Sequence, residues 1–194
     1  MTGTAESGTA ETVVGAPMRF CDGAAFEAWL EERHGSEGGV WLAIARKGSA
    51  EPLLTIEEAG EAAMCFGWID GHRRALDGGA FLQRFSRRRP RSPWSQVNVA
   101  RAEALMAAGR MREPGSVAVR AARADGRWDA AYAPQSRAEV PVELVEALAA
   151  DAAAAARFEA LDRTARYLLV LPLLKAGTAA VRARRLAAVV AALA

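Results

Sequence analysis

Two stretches of this chain concentrate side chains that can do chemistry. The first is Met64-Cys65-Phe66-Gly67-Trp68-Ile69-Asp70-Gly71, where a carboxylate and aromatic rings meet at the junction of a helix and a strand. In a strand from Trp68 the residues Trp68, Asp70, His72 and Arg74 share one face, with Ile69, Gly71, Arg73 and Ala75 on the other. The core is expected to take Ile69 and Ala75, leaving Trp68 and Asp70 to solvent or a pocket. There an apolar ring beside a carboxylate would raise its pKa and suit it to acid/base work. The alternative is a packed Trp68, with Asp70 paired to a nearby arginine.

The second stretch runs from Phe85 to Asn98 and holds Arg87, Arg88, Arg89, Arg91, Ser92, Trp94, Ser95 and Asn98. Ser92 or Ser95 can cap the helix that starts here, and Trp94, Asn98, Arg101 and Leu105 fall on one face of it. Free amides, hydroxyls and guanidinium groups at a helix start suit an anion. The plainer alternative is an exposed basic loop before an ordinary helix. Taken together, Trp68, Asp70, Arg73, Arg88, Ser92, Trp94, Ser95 and Asn98 are the candidate ligand-binding residues, and Asp70 is the one candidate catalytic group.

Other chemistries lack their residues. His34, His72, Cys21 and Cys65 show no metal-ligand spacing, so no metal is expected. Cys65 sits on an apolar helix face, where it reads as packing. The sequence has no GxSxG elbow, GxGxxG fingerprint or P-loop, and no cofactor is called for.

The elements that must position these groups can be read from pattern. Residues 1–17 are Gly/Thr/Ala/Glu-rich without periodicity and read as a disordered tail, leaving one domain over 18–194. Its first half, 18–93, offers strands near 18–21, 39–47, 68–76 and 80–86, with helices at 23–33 and 55–66. Asp22 is the N-cap of the first helix, Thr55 and Glu58 form a capping box for the second, and Gly67 fits its left-handed C-cap. Asp77-Gly78-Gly79 reads as a tight hairpin with glycine at positive φ. The second half, 94–194, is helical, including a near-polyalanine run from Ala147 to Ala156 and helices at 161–174 and 181–193. The expected class is α+β, with a small, mostly antiparallel sheet packed on helices.

Bulk composition adds limits. The 194 residues carry a formal net charge of +2 and are 52% hydrophobic, which suits a folded domain rather than a disordered chain. About a quarter are alanine, and Lys47 and Lys175 are the only lysines against many arginines, as a GC-rich genome would give. The near-neutral balance argues against a dedicated nucleic-acid binder, although Asp77 to Glu103 contains six arginines and no acid in between. Apolar runs are cut by Arg157, Arg163 and Lys175 before reaching a membrane span, and the first residues lack a secretory pattern. The expectation is a cytoplasmic protein without membrane partners, as a monomer or a homodimer.

The runs Ala63 to Gly71, Phe81-Leu82-Gln83-Arg84-Phe85 and Arg88-Arg89-Pro90-Arg91-Ser92-x-Trp94-Ser95-x-x-Asn98 resemble the YdeI/OmpD-associated, bacteriocin-protection family. Trp41-Leu42 with Lys47, Leu105 to Met111, Asp125-Gly126-Arg127-Trp128 with Tyr132, and Arg182-x-Arg184-Arg185 extend the likeness over 26–193. Arg87 stands where the family pattern carries proline, and Pro93 stands where a polar residue usually precedes the Trp. The resemblance implies a bacterial protection protein linked to resistance against cationic peptides and bacteriocins, without an established reaction. On that basis the expected function is binding of a small molecule or antimicrobial peptide in a Trp/Arg-lined cleft. The alternative is an enzyme that modifies or hydrolyses an antibiotic-like molecule, with Asp70 as acid/base.

Overall fold

The computed structural model describes residues 16–35 and 38–194. Most of the stretch read as a tail, residues 1–15, lies outside them. The fold is α+β, with three strands and eight α-helices among the described residues. The chain forms two compact units. One holds the chain through Ala63 together with Trp68–Arg87; the other holds Met64–Gly67 and Arg88–Ala194.

The first unit contains α1 (Gly23–Arg33), β1 (Val40–Ala45), most of α2 (Ile56–Cys65), β2 (Trp68–Ala75) and β3 (Ala80–Arg87). Asp22 caps α1 by accepting from Ala25 N at 2.8 Å. Thr55 Oγ1 accepts from Glu58 N while Glu58 Oε2 accepts from Thr55 N, the reciprocal pairing that the sequence predicts. The sheet is antiparallel in the order β1-β3-β2, so the connection-rich β3 is central and β2 is an edge. Leu42, Ile44, Phe81, Gln83 and Phe85 share one buried face, as their register requires. Phe26 packs there, its ring 6.0 Å from that of Phe85.

Four local expectations are corrected. Met18 makes only an isolated bridge to Leu42, because Asp22 starts a helix before a strand can extend. Neither Gly78 nor Gly79 takes a positive φ; the Asp77 carboxylate closes the turn by accepting from Gly79 N and Ala80 N. The alanine run divides at Ala150, since Asp151 accepts from Ala153 N and Ala154 N and so starts a new helix. The fourth concerns β2: Trp68 is buried, Ile69 is half-buried and Ala75 is exposed. A tryptophan over α1 removes more apolar area than Ile69 would, and a bulge between Asp70 and Arg73 shifts the alternation beyond it.

In the second unit Gly67 ends α2 at φ +71°, and a Cβ there would come within 2.8 Å of the Pro114 carbonyl oxygen, so only glycine fits without strain. α3 (Gln96–Ala107) and α4 (Glu113–Ala124) follow, then α5 (Val142–Ala149), α6 (Ala152–Ala160), α7 (Arg163–Leu174) and α8 (Ala179–Leu193). The last four share one core, in which Leu144, Ala154, Phe158, Val170, Leu173, Val189 and Leu193 are buried together. The apolar stripes of the two final helices are therefore largely intramolecular core. No helix of the described residues is long and apolar enough to cross a membrane.

Candidate functional site

The residues singled out by sequence separate into two groups, one in each unit. In the first unit Trp68 is 1% exposed, lies edge-on to Trp29 at 6.1 Å, and donates from Nε1 to the His34 carbonyl. Its ring is core. Asp70, two residues along β2, is exposed and stands opposite Phe85 in the ladder. Arg73 lies with Cζ 4.2 Å from the centroid of the Phe81 ring and donates from Nε to Gln83 Oε1.

In the second unit Trp94 is 2% exposed. One side of it meets Trp128, with ring centroids 4.8 Å apart, and Arg88 Cζ lies 3.7 Å from its own centroid. Arg123 covers the Trp128 ring in turn, so two arginines flank a pair of tryptophans whose rings are tilted by 56°. The Arg88 guanidinium also donates to Pro93 O, and Ser92 Oγ accepts from Arg89 N, which fixes the bend at Pro90. Ser95 is the N-cap of α3, accepting from the backbone N–H of Asn98. Arg127, ion-paired with Asp125, donates to Ser92 O. Tyr132 N and O pair with Trp94 O and Gln96 N on either side. The two motifs Ser92-x-Trp94-Ser95 and Asp125-Gly126-Arg127-Trp128 are thus one packing unit: each supplies one ring of the tryptophan pair, and Arg88 and Arg127 hold the loop at Pro93 and Ser92 just before α3.

A concavity of the second unit lies elsewhere, where residues 133–140 cross α7. It has a volume of about 380 Å³, with Val140, Leu161 and Val170 as apolar wall and Gln135, Ser136, Glu139, Arg163, Arg166 and Tyr167 as polar lining. Hydrogen bonds pin its loop to the helix. Gln135 Nε2 donates to Thr164 Oγ1 at 3.0 Å, Arg163 to Ser136 O at 2.9 Å, and the Tyr167 hydroxyl to Ala133 O. Arg166 Nε donates to Leu161 O, and its terminal nitrogen to Glu159 O, which holds the guanidinium at the mouth. Burial pushes the Tyr167 phenol above the usual tyrosine range, so it is a neutral donor and acceptor at any physiological pH. The volume is that of a cleft for a drug-sized molecule. None of the residues chosen from sequence lines it. Its only sequence signals are the Pro134 turn and the apolar stripe of α7, neither of which distinguishes a cleft from plain packing. No group of three or more His, Cys, Asp or Glu able to hold a metal occurs among the described residues.

The α+β fold with a helical second unit defines a class of architecture but no reaction. Family comparison is more specific: residues 18–118 match the domain of unknown function DUF8412, and the chain, more than half of it covered, belongs to that family. Residues 137–194 match the family described as bacteriocin-protection, YdeI or OmpD-associated. The resemblance read from sequence is shown over this last stretch, whereas the Phe66 to Gly71 and Ser92 to Asn98 motifs fall in the DUF8412 match. Neither a curated protein nor a solved structure matches the chain.

Proposed function

We propose that this chain protects by binding and not by catalysis, and that the cleft between residues 135–140 and α7 holds the ligand. The observation that carries this reading is the cleft's position: most of its wall lies inside the stretch that matches the bacteriocin-protection family. Its chemistry suits an amphipathic ligand, either a small molecule or one segment of an antimicrobial peptide. Val140, Leu161 and Val170 take an apolar body, while the guanidinium groups of Arg163 and Arg166 and the Tyr167 hydroxyl orient an acceptor group. Affinity then comes from burial and a few directed hydrogen bonds, and protection comes from sequestration.

The test is a thermal-shift screen of wild type and Ala138→Trp against cationic antimicrobial peptides and small-molecule antibiotics, every hit being recovered and weighed by mass spectrometry. Ala138 lines the cleft and is half-buried, so an indole there fills the space without removing a core side chain. The expected result is a ligand that stabilises wild type, fails to stabilise the variant and returns with unchanged mass. A ligand that stabilises both equally, or returns chemically altered, overturns the reading.

A further inference from the structure

The first unit carries a second, chemically different concavity at the hairpin end of its sheet. Arg46, Lys47, Arg73, Arg74 and Phe81 line a groove of about 440 Å³ with no acidic side chain in its wall. We propose that this groove is a binding site for a small oligophosphate, a molecule bearing two or more linked phosphate groups.

The first support is the organisation of the cations. Arg73 sits over the Phe81 ring with Cζ 4.2 Å from its centroid, while Arg74, its strand neighbour, sits over the Trp41 ring on the other face of the sheet with Cζ at 4.9 Å. The ring beneath Arg73 holds its guanidinium without using the terminal N–H groups. Arg73 is fixed further by Gln83, which is 2% exposed. Gln83 Oε1 accepts from Arg73 Nε, and its Nε2 donates to the carbonyls of Gly71 and His72. The amide orientation is forced, since its partners on one side are carbonyls and on the other a guanidinium. Those carbonyls lie in the bulge of β2, so the irregularity of the strand serves to seat the arginine. Arg46 Nε donates to the carbonyl of Asp77, which anchors a second cation.

The second support is charge. Of the nearby carboxylates, Glu51 is paired with Arg19 at 2.7 Å, and Asp77 is turned to two backbone N–H groups of the hairpin turn. Arg46, Lys47 and Arg73 set like charges along a wall that holds no acid, an arrangement that favours an anion and a multivalent one most. These three cations come from the ends of two separate strands, β1 and β2, which suits linked phosphates better than a single one. The groove's bounded volume favours a small molecule over a polymer.

The experiment is calorimetric titration of the full chain with tripolyphosphate, at about 20 mM and 200 mM salt, with a nucleoside diphosphate and a thymidine 15-mer as further arms. Lys47→Glu is exposed and changes no packed group. Arg184→Glu, on exposed α8 surface, changes net charge by the same amount and serves as control. Tripolyphosphate is expected to bind at low salt and to weaken about tenfold or more at the higher salt. Lys47→Glu should weaken it by a similar factor, and Arg184→Glu should leave it nearly unchanged. Competition by the nucleoside diphosphate would name the ligand as a nucleotide; its failure to compete would name an inorganic chain. No heat with tripolyphosphate, equal weakening by both variants, or binding of the 15-mer alone overturns the proposal.

Discussion

Trp94→Ala separates a packing role from a ligand-binding one. Trp94 is 2% exposed and sits between Trp128 and the guanidinium of Arg88. Deleting a buried tryptophan costs about 3–5 kcal/mol in lost transfer energy and residual cavity. The Arg88 and Trp128 contacts are part of that loss and are not added to it. For a chain of this size each kcal/mol lowers Tm by about 2–4 °C, so the melting point should fall by about 6–20 °C. The assay is thermal denaturation followed by circular dichroism at fixed pH and protein concentration. Trp94→Phe should cost less, because the indole N–H has no acceptor among the described residues and only volume is removed. Asn98→Ala is the control: the Ser95 cap bonds its backbone N–H, which the substitution keeps. A Trp94→Ala melting point within about 2 °C of wild type would refute the reasoning and return the ring to the list of ligand-binding groups.

Three further outcomes follow from the geometry. Gly115→Ala should destabilise by about 1–3 kcal/mol or more in denaturant unfolding, because a Cβ there would overlap the Cys65 carbonyl oxygen and Met111 Sδ and lie 2.8 Å from Met64 O. The Thr55 backbone N–H, and then its hydroxyl, hold the Glu58 carboxyl below its ordinary value. A depressed folded pKa gives stability that is complete at neutral pH and lost as pH falls through that value. The Tm difference between wild type and Glu58→Gln should therefore shrink below about pH 4. Tyr167 should ionise at higher pH than an ordinary tyrosine in an ultraviolet difference titration, and that late component should vanish in Tyr167→Phe.

Much of the fold is legible in local chemistry. The caps at Asp22 and Thr55/Glu58 and the C-cap at Gly67 are short-range devices that stand at the predicted residues, and of the two serines offered for α3 the cap is Ser95. β1 is a strand as expected, but it is buried on both faces at Leu42, Ala43 and Ile44 and does not alternate. Parity on β2 fails as well. A bulge and an edge position decide which residues face inward there, and neither leaves a mark in hydrophobic pattern. The division at Asp151 was hidden by the helix propensity of the alanines on both sides. The tryptophan-rich motifs were visible as motifs, but their spacing cannot say whether a ring forms a wall or a core. Only burial of Trp68 and Trp94 decides that. The cleft on α7 depends on a loop folding back over a helix about 30 residues later, a pairing that no local pattern encodes.

The central claim is that the cleft on α7 binds what the chain protects against. Its most direct test is the minimum inhibitory concentration of bacteriocins and cationic peptides for a sensitive bacterium expressing either wild type or Ala138→Trp at equal, folded levels. Wild type should raise the inhibitory concentration of at least one compound, and Ala138→Trp should return it to that of cells without the protein. Undiminished protection by the filled-cleft variant would contradict the account.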